Sequence, residues 1–151
     1  MITADPFWAL PDPDAKPEFY ADVPTKRLLA WILDTVLIAL ITALIVPFTA
    51  FTALFFLPFL YMIVAFAYRS LSLARRSATP GMRLMAIEFR THDGGRFSPL
   101  MALIHTAAYT VSVSMVLPQV ISVLLMMITS RGQGLTDHVL GTVAINRTAG
   151  R

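Results

Sequence analysis

The sequence predicts an all-α membrane protein: a helical hairpin over residues 26–46 and 48–68, a kinked or re-entrant helical segment over 98–130, and a small cytoplasmic β element over 84–97 and 142–146. Three observations predict it. No residue from 35 to 68 is charged, and no Asp, Glu, Lys or Arg occurs between 97 and 130. Such runs are too long and too apolar for a soluble helix with one wet face, so lipid must solvate them. The third observation is composition: 56% of the residues are hydrophobic and the mean hydropathy is +0.68, more than a water-soluble chain of 151 residues carries.

Residues 1–24 hold Pro6, Pro11, Pro13, Pro17 and Pro24 among Asp5, Asp12, Asp14, Glu18 and Asp22, a mixture that predicts a disordered acidic tail. Its aromatics, Phe7, Trp8, Phe19 and Tyr20, would rest near lipid headgroups. No basic n-region followed by an apolar h-region opens the chain, so no signal peptide is expected and the N-terminus should stay on the side of synthesis.

Residues 25–147 are expected to form one transmembrane domain. Helix one, 26–46, would be about 30 Å long at 1.5 Å per residue, one hydrocarbon thickness. The charge-free run to residue 68 would reach about 50 Å as a single helix, so the chain must fold back, and Pro47 stands where the reversal is needed. Helix two, 48–68, would kink at Pro58 and place Tyr61 and Tyr68 at the far interface.

Arg69, Arg75, Arg76, Arg83, Arg90 and Arg96 follow, whereas the Pro47 turn carries no charge. By the positive-inside bias, the N-terminus and this basic segment both face the cytoplasm. Within it Thr79-Pro80-Gly81 is a turn signal, residues 84–89 suit a short strand, and Asp93-Gly94-Gly95 can close a small hairpin. Strands this short need support from the membrane helices or from another strand, and residues 142–145 can supply that strand.

The second apolar run opens with the helix signal Ser98-Pro99 and contains Pro118. Arg96 flanks one end and Arg131 and Arg147 the other, which favours a hairpin returning to the cytoplasm. The arm after Pro118 gives only about 18 Å, short of a full span, so a re-entrant half-helix or an interfacial helix stays open.

Arg27 with Asp34 seven residues on, then Thr79-Pro80-Gly81-Met82-Arg83-Leu84, then Gly94-Gly95, then Thr136-Asp137-His138-Val139-Leu140-Gly141-Thr142-Val143, together resemble the RDD family of bacterial membrane proteins. The resemblance covers about residues 25–147. It implies that Arg27 is the family arginine, Asp34 the first aspartate and Asp137 the second, and it suggests transport as the activity. Three positions depart from the family pattern: Met82 stands where a lysine is usual, His105 falls where an arginine is frequent, and Thr136 precedes the second aspartate where histidine or glycine is common.

Arg27 and Asp34 share one helix face about 10 Å apart, too far to pair unaided. An acid inside an apolar span is costly, so Asp34 is a candidate cation or proton site that needs a partner from another helix; the alternative is a structural acid that fixes helix packing. His105, Tyr109, Ser112, Gln119 and Ser122 form a polar stripe if Pro118 leaves the helix face unrotated, and the stripe can line a path with Asp34 or make interhelical hydrogen bonds. Pro80, Gly81, Gly94, Gly95 and Gly141 are turn or structural positions.

Asp137 and His138 have no companion ligands at metal-site spacing, so Asp137 can also be a capping acid or the partner of a cytoplasmic arginine. No nucleophile elbow or phosphate loop occurs, so no catalytic residue, metal, cofactor or enzymatic activity is expected. Absence of cysteine removes disulfides, and the basic residues do not alternate with aromatics, which excludes a nucleic-acid surface. The sequence thus points to a multi-pass protein of the bacterial plasma (inner) membrane that transports or senses a cation or proton through Asp34. Its expected partners are the lipid bilayer and further copies of itself. The alternative is a non-transporting scaffold that docks a cytoplasmic partner or anionic lipid.

Overall fold

The computed structural model describes residues 9–147; the expectations for Phe7, Trp8 and the rest of residues 1–8 lie outside the described residues. Helix α1 (Val23–Ile45) begins a little before the expected start because Pro24 sits in its first turn, where a missing N–H costs nothing. Two 3-10 turns, Val46–Thr49 and Thr52–Phe56, then reverse the chain at Pro47, with Ala50 and Phe51 both left-handed at φ 51° and 63°.

Helix α2 (Leu57–Arg76) starts and ends later than the expected 48–68. Pro58 opens it rather than kinking it, since proline is accommodated in a first turn and disruptive further in. Arg69 therefore belongs to the helix. Arg75 and Arg76 fall in the last turn, where the helix dipole favours cations.

Thr79-Pro80-Gly81 is the start of a short helix, α3 (Pro80–Leu84). The Thr79 hydroxyl accepts from the Met82 N–H at 3.2 Å, and Pro80 takes the first helical position. Strand β1 (Ile87–Thr91) follows, displaced from the expected 84–89 because α3 and the left-handed Ala86 (φ 56°) occupy its first residues. The hairpin expected within 84–97 does not form. Asp93-Gly94-Gly95 makes a tight turn, with the Thr91 N–H donating to the Gly95 carbonyl at 3.0 Å, but no strand follows it. The Thr91 hydroxyl and the Gly95 N–H hold the exposed Asp93 carboxyl below its usual range.

Strand β1 instead pairs antiparallel with β2 (Thr142–Asn146), Phe89 standing opposite Ala144. Ile87, Phe89 and Ala144 on one face pack with Val23, Leu73 and Ala102 at one end of the helices. Val143 and Ile145, on the other face, pack against Leu10 and Tyr20. Here the disordered tail expected over 1–24 is corrected for residues 9–22. A two-stranded ribbon with an apolar outer face is marginal by itself, and the tail covers that face. The Tyr20 hydroxyl donates to the Pro11 carbonyl at 2.8 Å. Asn146 ties the cover down: its Nδ2 donates to the Glu18 and Ala21 carbonyls at 2.8 and 2.9 Å, and its Oδ1 accepts from Lys26 Nζ at 2.7 Å. With three buried or half-buried bonds lost, Asn146→Ala is expected to cost about 2 kcal/mol and to free the tail. Chymotrypsin cleavage after Tyr20, which is followed by Ala21, should then accelerate several-fold, and an unchanged rate would contradict this role.

Helices α4 (Pro99–Val113) and α5 (Val116–Ile128) meet at a 113° bend. The break lies at Ser114 and Met115, ahead of Pro118, because a proline near a helix start forfeits no intrahelical bond and the helix begins afresh before it. After α5 the chain returns to the sheet end of the molecule through α6 (Leu135–Leu140), whose Leu135 N–H donates to the Ser122 hydroxyl at 3.0 Å. The segments Pro17–Thr49 and Thr52–Arg76, each containing an 18-residue stretch of mean hydropathy 2.5 and 1.7 respectively, are long and apolar enough to cross a membrane, and the bent α4–α5 pair passes the same test if taken as one span.

Candidate functional site

Helix α1 carries Arg27 and Asp34 toward the sheet end, and the fold sends them to different partners. Asp34 is 1% exposed. Its Oδ1 accepts from the Tyr68 hydroxyl of α2 at 2.7 Å and from the Gly81 N–H of α3 at 2.9 Å, and its Oδ2 accepts from the Thr79 hydroxyl at 2.5 Å. A Cβ on residue 81 would stand 2.4 Å from the Ala30 carbonyl oxygen and 2.8 Å from Asp34 Oδ1. Glycine is thus required for α3 to approach α1 closely enough to make these bonds. Every donor to Asp34 is neutral.

Asp137, on α6, is fully buried and takes the arginine. Its Oδ2 accepts from Arg27 Nη1 at 2.5 Å and from the Gly134 N–H at 3.1 Å; its Oδ1 meets His105 Nε2 at 3.1 Å and the Thr142 hydroxyl at 2.7 Å. An ionised carboxylate only accepts, so His105 Nε2 carries the hydrogen. Arg27 also donates to the Gly132 carbonyl at 3.2 Å, and its guanidinium lies 5.2 Å from the centre of the Phe89 ring. Burial pushes the Asp137 carboxyl up, but the Arg27 charge and the bonds from His105 and Thr142 outweigh it and hold the group well below the usual carboxylate range.

A cavity of about 450 Å³ is bordered by Arg27, Asp34, Arg69, His105, Tyr109 and Gln119, among others. The Trp31 indole donates to the Tyr109 hydroxyl at 2.8 Å on its wall. The single stripe expected from His105 to Ser122 is broken, because the bend after Val113 puts Gln119 and Ser122 on another helix. His105 turns to Asp137 and not to Asp34. Ser112 is buried outside the cavity lining with its hydroxyl unpaired, and Ser122 binds the start of α6.

Gly94 and Gly95 stay in their turn, and Gly141 ends α6 in the left-handed conformation at φ 66°. His138 Nδ1 donates to the Gly134 carbonyl at 2.8 Å. Among the described residues no three His, Asp or Glu side chains converge as a metal site requires.

Several residues of the site escaped the sequence. Tyr68, expected at the far interface, turns inward to Asp34 because its helix runs further toward the sheet end than expected. Thr79 had a usable signal, since threonine before proline is an N-cap followed by the first helical position. Thr142 and Trp31 had none, as their partners are set only by packing.

No curated protein and no solved structure matches the chain. The model of the RDD family matches residues 22–141, from the first turn of α1 to the end of α6, and that span contains Arg27, Asp34 and Asp137 with all their side-chain partners except Thr142. With most of its length so matched and two helices apolar enough to span a bilayer, this chain is a membrane protein belonging to the RDD family.

Proposed function

We propose that this RDD family protein is a multi-pass protein of the bacterial plasma (inner) membrane, with its N-terminus in the cytoplasm, and that it exchanges a proton or a small cation at Asp34. One observation carries this: Asp34 borders the cavity as a buried carboxylate with three neutral donors and no cationic partner among the described residues, whereas Asp137 is neutralised by Arg27. An uncompensated carboxylate in a lipid-embedded helix is unfavourable by roughly 2.5–3.5 kcal/mol, and a proton or cation entering the cavity relieves that cost. The arginines from Arg69 to Arg96, set against a charge-free turn at Pro47, support the orientation. So short a chain encloses little of a path, and a second copy would supply the remaining wall. Proton and sodium flux into vesicles reconstituted with the parent or with Asp34→Asn tests this. Flux is expected to fall to the level of empty vesicles in the variant; an undiminished rate would remove Asp34 from the role.

A second reading has its own support, since the same three bonds tie α2 and α3 to α1. In it the protein is a non-transporting scaffold, Asp34 fixes helix packing, and Arg75 and Arg76 dock a cytoplasmic partner or anionic lipid. Asp34→Asn would then lower the folded yield while parent and variant vesicles both stay at background flux. Neither reading assigns an enzymatic activity.

A further inference from the structure

The cavity is also bordered by polar groups that neither aspartate uses. Arg69 stacks 4.7 Å over the Tyr109 ring and meets no carboxylate among the described residues. Thr106, 1% exposed and also on the wall, has a hydroxyl with no hydrogen-bond partner. A helical threonine usually returns its hydroxyl to the carbonyl four residues back, as Thr110 does to Thr106 itself at 2.7 Å. A buried hydroxyl without that bond calls for a ligand or water oxygen. Thr106 and Tyr109 are three residues apart on one face of α4, so the free hydroxyl and the guanidinium stacked on Tyr109 border the same part of the cavity.

The wall also has an apolar part, which includes Leu28, Val123, Met126 and Met127. Leu28 and Met127 are 57% and 71% exposed, so this wall continues onto the surface that faces acyl chains. Arg69 stands about 10 Å inside the Arg76 end of α2, a depth from which a long basic side chain reaches the phosphate layer.

We propose that this cavity binds one anionic phospholipid of the surrounding leaflet, its phosphate held by Arg69 and Thr106 and an acyl chain laid along Leu28, Val123 and Met127. Arg69 selects the occupant: it is the cation on this wall without a carboxylate partner, Asp34 on the same wall turns both carboxyl oxygens to Tyr68, Thr79 and Gly81, and apolar, adaptable methionines line the exit. The site does not depend on exchange at Asp34.

Trp31 lies on the wall and reports occupancy. With Trp8→Phe it becomes the single tryptophan of the chain. The full-length protein in uncharged detergent is titrated with phosphatidylglycerol or phosphatidylcholine carrying brominated chains, which quench tryptophan on contact. Phosphatidylglycerol should quench at a concentration about ten-fold lower than phosphatidylcholine. Arg69→Gln should erase that preference and Arg69→Lys keep most of it, while Arg75→Gln with Arg76→Gln leaves it in place. Equal quenching by the two lipids would overturn the proposal, and so would a preference that survives Arg69→Gln or disappears with the Arg75 and Arg76 changes. Displacement of the lipid by millimolar inorganic phosphate would reassign the site to a soluble anion and overturn the lipid. If Arg69→Gln does not fold, Val123→Phe, at an exposed position, fills the cavity and should weaken quenching by both lipids several-fold; unaltered quenching counts against the site.

Discussion

Arg27→Ala is expected to remove about 3–5 kcal/mol of stability, the usual consequence of stripping one partner from a buried ion pair. Asp137 is wholly buried and Arg27 largely so, and the variant would leave a carboxylate with hydrogen bonds but no countercharge. Arg27→Lys should recover only part of the loss, because the shorter side chain ends in a compact ammonium that cannot lie over the Phe89 ring as the planar guanidinium does. Asp137→Asn combined with Arg27→Met should cost clearly less than the two single changes added together, since each leaves the other's partner unpaired. Denaturation of the detergent-solubilised protein, followed by circular dichroism, reads every one of these variants. A loss under about 0.5 kcal/mol for Arg27→Ala, or strict additivity in the pair, would mean the ion pair does not hold α6 to α1.

The same pair sets a pH dependence. The folded Asp137 carboxyl titrates below its unfolded value, so its contribution is fully present above the ordinary carboxylate range of about 4. It declines as the pH falls through that range and is gone only below the depressed folded value. Arg27→Ala should flatten the acid limb of the stability curve.

Gly81→Ala is the second large effect, about 3 kcal/mol or more, from adding a single methyl group. The new Cβ would fall against the Ala30 carbonyl oxygen, and a backbone atom in the middle of a helix cannot swing aside as a side chain can. Relief requires α3 to move away from α1, which breaks the Gly81 and Thr79 bonds to Asp34 together. Gly95→Ala is the control: its Cβ would stand 3.3 Å from the Thr91 hydroxyl and 3.4 Å from Asp93 Oδ1, both movable. It should cost under about 1 kcal/mol, as changes at accommodating sites do. Equal melting temperatures for the two variants would show that the close approach of α3 is not needed.

Much of the architecture was legible because it follows from local sums. Absence of charge over 35–68 and 97–130 marked the apolar segments, Pro47 marked their first reversal, and the β-branched residues after Gly141 marked a strand. Proline positions were read less well. Pro58 and Pro118 looked like interruptions inside helices, yet each lies near the start of one, and only the observed ends of the neighbouring turns show which case holds. The acidic tail looked unable to bury anything, but Leu10 and Tyr20 need bury only themselves once a bare sheet face is offered to them.

The candidate site divided along the same line. By itself the sequence determined that Asp34 is costly in lipid and marked Arg27, Asp137 and His105 as polar positions of interest, since charge and burial tendency are properties of each residue and its neighbours along the chain. Only the tertiary structure decided that Arg27 serves Asp137, 110 residues away, and that Tyr68, Thr79 and Gly81 serve Asp34. Each acid could have taken any of several donors, and the choice was made by helix ends, a 113° bend and one glycine that lets two backbones meet, none of which is a property of a single stretch of chain.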